Sequence, residues 1–201
     1  PDFPAAELQE RLRRFVFRSK VGVKVLEEFT VAGELDAGCL EVRDRVEPFG
    51  AALRFDFGGD RLQRSLLLLP AADGAGESDP AMDAAWLARD IAHGLPRLPE
   101  AQRETWTPQM LSLQRLRAFS LSKGCYPGQE VVARMDTYGN VRRKLVGLVL
   151  QDLVVPSHGA KLYSGDREVG WISSAVRSIQ LNKTIAFGFP LRDFSKPGTE
   201  L

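Results

Sequence analysis

A thiol, an amine, an amide, a carboxylate and a guanidinium fall within twelve residues of this chain. They lie in Lys123-Gly124-Cys125-Tyr126-Pro127-Gly128-Gln129-Glu130 and the following Val131-Val132-Ala133-Arg134. A thiolate attacks electrophiles or binds iron, and a neighbouring ammonium is one of the groups that stabilise that form. Only Gly124 separates Cys125 from Lys123. Gln129 and Glu130 offer hydrogen bonds to a planar heterocycle, and Glu130 and Arg134 have the i, i+4 spacing that pairs charges on a helix. Two glycines and a proline keep the first half out of regular helix or strand, so a sharp turn must present the sulfur or its neighbouring N–H groups. The bland alternative is a structural loop, because one Lys-Gly-Cys tripeptide is a weak signal. A single Cys with no second ligand nearby does not make a metal site, and no metal ligand is assigned.

At 201 residues the chain has room for one large domain or two small ones. A hydrophobic fraction of 44% with 26% charged residues is that of a globular protein. The net charge of +1 gives no support for direct tRNA contact. Residues 1–24 carry six basic against three acidic groups, which reads as a solvated helix face rather than a phosphate patch. Cys39 and Cys125, far apart, argue against a disulfide framework and for a reducing, cytoplasmic setting. Cys39 reads as a core filler. No apolar run approaches the roughly 20 residues that span a bilayer, so no membrane is expected.

The elements that must position the reactive stretch follow from periodicity. Leu8, Leu12, Phe15 and Val16 predict an amphipathic helix over 5–18, and Val21, Val23 and Val25 predict a strand, which Phe29–Val31 extends or pairs with. Residues 35–46 are ambiguous between a short helix and a loop. Alternation over 51–57, the turn Gly58-Gly59-Asp60 and the run Leu66–Leu69, buried on both sides, make a hairpin. After an acidic loop at 71–79, Asp79 and Pro80 open a helix that ends at Gly94, with Met82, Ala85 and Trp86 as its core contacts. His93 and His158 read as a helix-end and a turn residue. A proline-punctuated connector leads to Lys123. Strands then follow at 145–150, 160–164, 168–174 and 184–189, with Gly165-Asp166 as a two-residue hairpin turn. The class is α+β, a ferredoxin-like α/β sandwich followed by a small antiparallel β-barrel.

The stretch 123–134 resembles the signature of the YgfZ family of folate-binding proteins, Lys-Gly-Cys-Tyr/Phe-x-Gly-Gln-Glu and then Ala-Arg, at every fixed position. Arg89 to Arg97, with Ile91, Gly94 and Pro96, resembles that family's Arg-Ile-Ala-x-Gly-x-Pro segment. Glu104-Thr105 and Pro108-Gln109 are similar to its connector, and Gly139 and Arg143 match the Gly and Arg after the signature. Val169-Gly170, Ser173-Ser174-Ala175 and Ile185-Ala186 resemble the closing barrel shared with the glycine-cleavage aminomethyltransferases. That superfamily builds three domains around a central folate site, and the resemblance implies that this chain starts late and lacks part of the pocket. It implies four parts: 1–19, a helix closing a mostly absent N-terminal domain; 20–105, the ferredoxin-like domain; 106–141, a connector with the signature; and 142–201, the barrel.

The resemblance implies a tetrahydrofolate-binding accessory protein that supports iron–sulfur cluster assembly or repair in client enzymes, tRNA-modifying ones among them. Cys125 is then the key thiol and Lys123 tunes it. Tyr126, Gly128, Gln129, Glu130 and Arg134 shape the loop or contact tetrahydrofolate or a derivative. The resemblance points to an accessory factor more than to a true enzyme. A one-carbon transferase of the aminomethyltransferase type is the second reading. Against it, Ala92 stands where the transferases place a folate-contacting carboxylate. The third reading is a non-catalytic interaction module with Cys125 buried and inert.

Overall fold

The computed structural model describes residues 4–14, 16, 20–34, 45–50, 52–57, 64–71, 79–97, 105–139 and 141–201. The chain divides into two compact units, Pro1–Pro80 and Ala81–Leu201. Cys39, the Gly58-Gly59-Asp60 turn, Phe15, most of the 71–79 loop and Glu104 lie outside the described residues.

In the first unit, helix α1 spans Ala5–Arg13, with ion pairs Glu7–Arg11 and Glu10–Arg14 one turn apart. The strand expected at Val21–Val25 does not form. Val21 and Leu26 are exposed, and the Val23 carbonyl accepts from the Gln9 side-chain amide at 2.8 Å instead of from a neighbouring strand. Alternation alone does not make a strand when no partner backbone is in register. The sheet holds β1 (Phe29–Glu34), β2 (Arg45–Phe49), β3 (Ala52–Phe57) and β4 (Arg64–Pro70) in the order β1-β4-β3-β2, antiparallel throughout. Gly50, at φ +61°, makes the β2–β3 turn, and Pro48 is tolerated because β2 is an edge strand. The described strands make a β2-β3-β4 meander with β1 beside β4. The run Leu66–Leu69 is half-buried rather than buried on both faces. Its apolar continuity marks a strand hydrogen-bonded along both edges, by β1 and by β3.

The second unit is built on a four-stranded antiparallel sheet, β5 (Val146–Val149), β6 (Lys161–Ser164), β7 (Arg167–Ser178) and β8 (Lys183–Gly188), in the order β5-β8-β7-β6. Gly165 takes φ +59° in the β6–β7 turn, and Asn182 takes φ +48° before β8. Gly170 lets β7 pass against the strand end, since a Cβ there would sit 2.7 Å from the Phe189 carbonyl oxygen. One apolar cluster gathers Leu162, Val169, Ile172 and Ala186. The other joins Val176, Ile185, Phe187 and Phe189 to Leu145, Leu111 and Ile91.

Helix α2 (Pro80–His93) brings Ile91 to that second cluster, with Ala84, Leu87 and Ala88 beside it. This corrects the expected face. Met82 is 51% exposed and Ala85 is exposed too. The sets 82/85/86 and 84/87/88/91 both fit a 3.6-residue period, and packing chose the aliphatic one. The connector then docks on the sheet: Leu145 N–H donates to the Met110 carbonyl at 2.7 Å, and Trp106 stacks on Phe189 with ring centroids 4.1 Å apart. Among the described residues no helix is long and apolar enough to cross a membrane. The α+β class, with mixed helices and antiparallel sheets, is that of an aminomethyltransferase-like fold.

Candidate functional site

The reactive stretch begins in a hydroxyl-capped bend, where Ser120 Oγ accepts the Ser122 and Lys123 backbone N–H groups, each at 3.2 Å. It then closes a β-turn over Tyr126–Gln129. Gly128 has φ +82° and ψ −1°, the third-position geometry of a type II turn, and Gln129 N–H donates to the Tyr126 carbonyl at 3.1 Å. Proline presets the second position and glycine accepts the third, so Pro127-Gly128 dictates this turn locally. Gln129 Oε1 reaches back to accept from Tyr126 N–H at 3.3 Å, which reinforces the turn as helix α3 (Gln129–Thr137) starts.

The turn brings Cys125 to the surface as an exposed, free thiol. Lys123 does not point at open water alone: its Nζ lies 4.8 Å from the Tyr126 ring centroid, a cation–π contact. The Tyr126 ring is half-buried, and its Oη is buried with no hydrogen-bond partner among the described residues. Burying a hydroxyl without a partner costs free energy, so an orphaned phenol of this kind marks a place where a polar group is missing. Glu130 and Arg134 pair at 3.3 Å on the solvent side of α3, as their i, i+4 spacing predicts. Both are largely exposed, so the pair contributes little to stability.

Helix α3 itself is held from below by a residue that the motif did not single out for this role. Gln109 is 3% exposed and donates its side-chain amide to the Val132 carbonyl at 2.7 Å, while its Oε1 has no hydrogen-bond partner among the described residues. Sequence separation hides the contact, since 23 residues lie between the two. At its far end α3 stops against Gly139, where a Cβ would overlap the Met135 carbonyl oxygen and lie 2.7 Å from Met135 Cα. Gly139→Ala is expected to destabilise the second unit by roughly 1–3 kcal/mol, because backbone rather than a flexible side chain must move. A lowered urea midpoint checks it.

Arg143 anchors the chain where the barrel begins. Its Nη1 donates to the Val169 and Phe189 carbonyls at 2.9 and 3.0 Å, and the guanidinium lies 4.8 Å from the Trp171 ring centroid. Burial lowers the Arg143 pKa from its usual value, with the neighbouring Arg142 acting the same way. The buried Asp90 carboxylate pairs with the half-exposed Arg97 at 2.9 Å and fixes the segment after α2. Between Arg97, Leu111, Leu145, Ser173, Ser174 and Phe189 lies a recess of about 10 Å³, no larger than a single water needs and far too small for a pterin. That recess contains no signature residue; Lys123, Cys125, Pro127, Gly128 and Glu130 are exposed, so the signature presents an open surface, and among the described residues no group of three or more His, Cys, Asp and Glu could hold a metal ion.

Residues 143–201 match the model of the glycine cleavage T-protein C-terminal barrel domain. The chain is 46% identical over 65 residues to the tRNA-modifying protein YgfZ of Edwardsiella ictaluri, covering 32% of this chain and 20% of that protein. To the YgfZ of Yersinia pestis it is 39% identical over 101 residues, covering 48% and 30%. To the aminomethyltransferase of Aquifex aeolicus it is 35% identical over 117 residues, covering 57% and 31%. The chain thus spans less than a third of the length of each of these relatives. In its barrel and its turn-and-helix signature the chain is thus similar to the YgfZ proteins and to the glycine cleavage T-proteins.

Proposed function

We propose that this chain acts as a tetrahydrofolate-binding accessory protein that supports assembly or repair of iron–sulfur clusters in client enzymes, tRNA-modifying enzymes among them. The observation that carries the reading is the free, exposed Cys125 on a preformed turn, next to a phenol whose buried Oη lacks a partner. The relatives named for tRNA modification favour such clients. A setting in the reducing cytoplasm suits a working thiol left unpaired.

The residues present fit a folate. A pterin has donors and acceptors along one edge, which suit the Gln129 amide and the Glu130 carboxylate, and its flat face suits the half-buried Tyr126 ring. The glutamate tail is anionic and suits Lys123 or Arg134. Gly128 leaves the turn without a side chain, so a flat ring could approach the backbone. When bound, tetrahydrofolate supplies a carrier for one-carbon units. This chain's part is to orient it on the open face of the signature, which forms one wall of the site, and to offer the Cys125 sulfur to iron or to a reactive carbon or oxidised species. Lys123, two positions before Cys125 in the chain, packs its ammonium on the Tyr126 ring.

Calorimetric titration with tetrahydrofolate tests the reading. Saturable binding that weakens at least tenfold in Gln129→Ala is expected, and no detectable uptake by the full chain would remove folate from the proposal. The second reading, a one-carbon transferase, is favoured by the similarity to the Aquifex aeolicus aminomethyltransferase. Ala92 speaks against it, because a methyl group cannot accept a hydrogen bond from a pterin. Robust formation of methylene-tetrahydrofolate from an aminomethyl donor would reverse the order of the two. In the third, an interaction module, the signature would only join two parts of the chain.

A further inference from the structure

We infer that residues 105–144 form a docking surface for RNA, with cations on the phosphates and Tyr138 as a stacking platform for an unpaired base. The whole chain's charge of +1 conceals an uneven distribution. Residues 105–144 hold seven Lys and Arg against two Asp and Glu, a net +5, so the rest of the chain sums to −4. Arg115, Arg117, Lys123, Arg134 and Arg142 are all exposed. Glu130, one of the two acids, pairs with Arg134 at 3.3 Å, so those two residues together add no net charge and the excess rests on the other cations.

The described residues of the stretch make one folded piece rather than a floppy basic arm. Gln109 ties α3 to the connector, and Met110 ties the connector to the barrel. Preformed cations cost less ordering on binding than a disordered run does. Tyr138 is 83% exposed and stands one turn beyond Arg134, to whose carbonyl its N–H donates at 2.9 Å. A ring left that open, on the same helix side as a guanidinium, gains its burial from a stacked base. Arginine also dominates the charged set, and its planar fork matches phosphate oxygens and stacks on bases. An acidic peptide would use the charge and leave the ring idle. RNA uses both.

The inference goes beyond folate binding and does not depend on it. Its test is binding of an unmodified transfer RNA transcript, which offers both duplex phosphates and unpaired loop bases, to the full chain across a salt series. R115Q/R117Q/R142Q is expected to weaken binding at least tenfold and to flatten the log–log salt slope by about two, three cations at about 0.7 each. Tyr138→Ala is expected to weaken binding about tenfold with the slope unchanged, as stacking carries no counterions. The control R177Q/K183Q/K196Q removes three exposed barrel cations and is expected to lose less than threefold. An equal loss in the control, equal binding of poly-glutamate, or no binding by the wild-type chain each overturns the inference. Run beside the tetrahydrofolate titration, the two readings fail separately: RNA without folate spares this one, and folate without RNA spares the other.

Discussion

Phe189→Ala is expected to destabilise the second unit by about 3–5 kcal/mol, the range for deleting a buried aromatic ring. Phe189 is 2% exposed and stacks on Trp106 at 4.1 Å with planes 2° apart, and Trp171 lies 5.7 Å away. Truncation removes the ring's buried area and both aromatic pairs, and leaves a cavity that rigid strands β7 and β8 cannot close. Against a typical stability of about 5–15 kcal/mol, that loss is about a fifth or more. The ring also links two parts of the chain, because Trp106 opens the connector that leads to Lys123. A urea melt followed by near-ultraviolet circular dichroism reads the effect. Ile179→Ala is the control, since Ile179 is 90% exposed and its loss should stay within about 0.5 kcal/mol. If the two variants melt alike, the stack does not hold the unit together.

Cys125→Ala should do the opposite: leave stability within about 0.5 kcal/mol and abolish function. The thiol is exposed and free, so its removal opens no cavity. The turn that presents it is set by Pro127, Gly128 and the Gln129 side chain, none of which depends on sulfur. In cells lacking the protein, the variant is expected to accumulate normally yet fail to restore iron–sulfur enzyme activity. Cys125→Ser should fail as well, because a hydroxyl is neither a soft iron ligand nor a comparable nucleophile. Full rescue by either variant would sink the role given to the thiol, whatever the folate titration shows.

Some of this molecule follows from short-range chemistry. Gly165-Asp166 announced its hairpin because a two-residue turn demands positive φ, and Gly165 has it. The Glu130–Arg134 pair follows from helical spacing, and the Tyr126–Gln129 turn from Pro-Gly. Other features could not be read this way. Strand β2 (Arg45–Phe49) starts inside the stretch 35–46 that periodicity leaves ambiguous between a short helix and a loop, and it carries Pro48 because it lies at the sheet edge. The alternating valines at 21–25 found no partner. The buried face of α2 was a choice between two stripes of equal period.

At the signature itself, the sequence by itself determined which groups are present, that they turn sharply, and that a helix follows. Those properties are local, fixed by φ preferences and by neighbours within four residues. Only the tertiary structure decided how the groups are spent. It set Lys123 over Tyr126, seated α3 on Gln109 from 23 residues away, and left the Tyr126 hydroxyl without a partner among the described residues. It also left Cys125 in the open rather than in the core. The physical reason is distance along the chain: burial and long-range hydrogen bonds are properties of what packs above and below a residue, and no spacing rule within the motif encodes them.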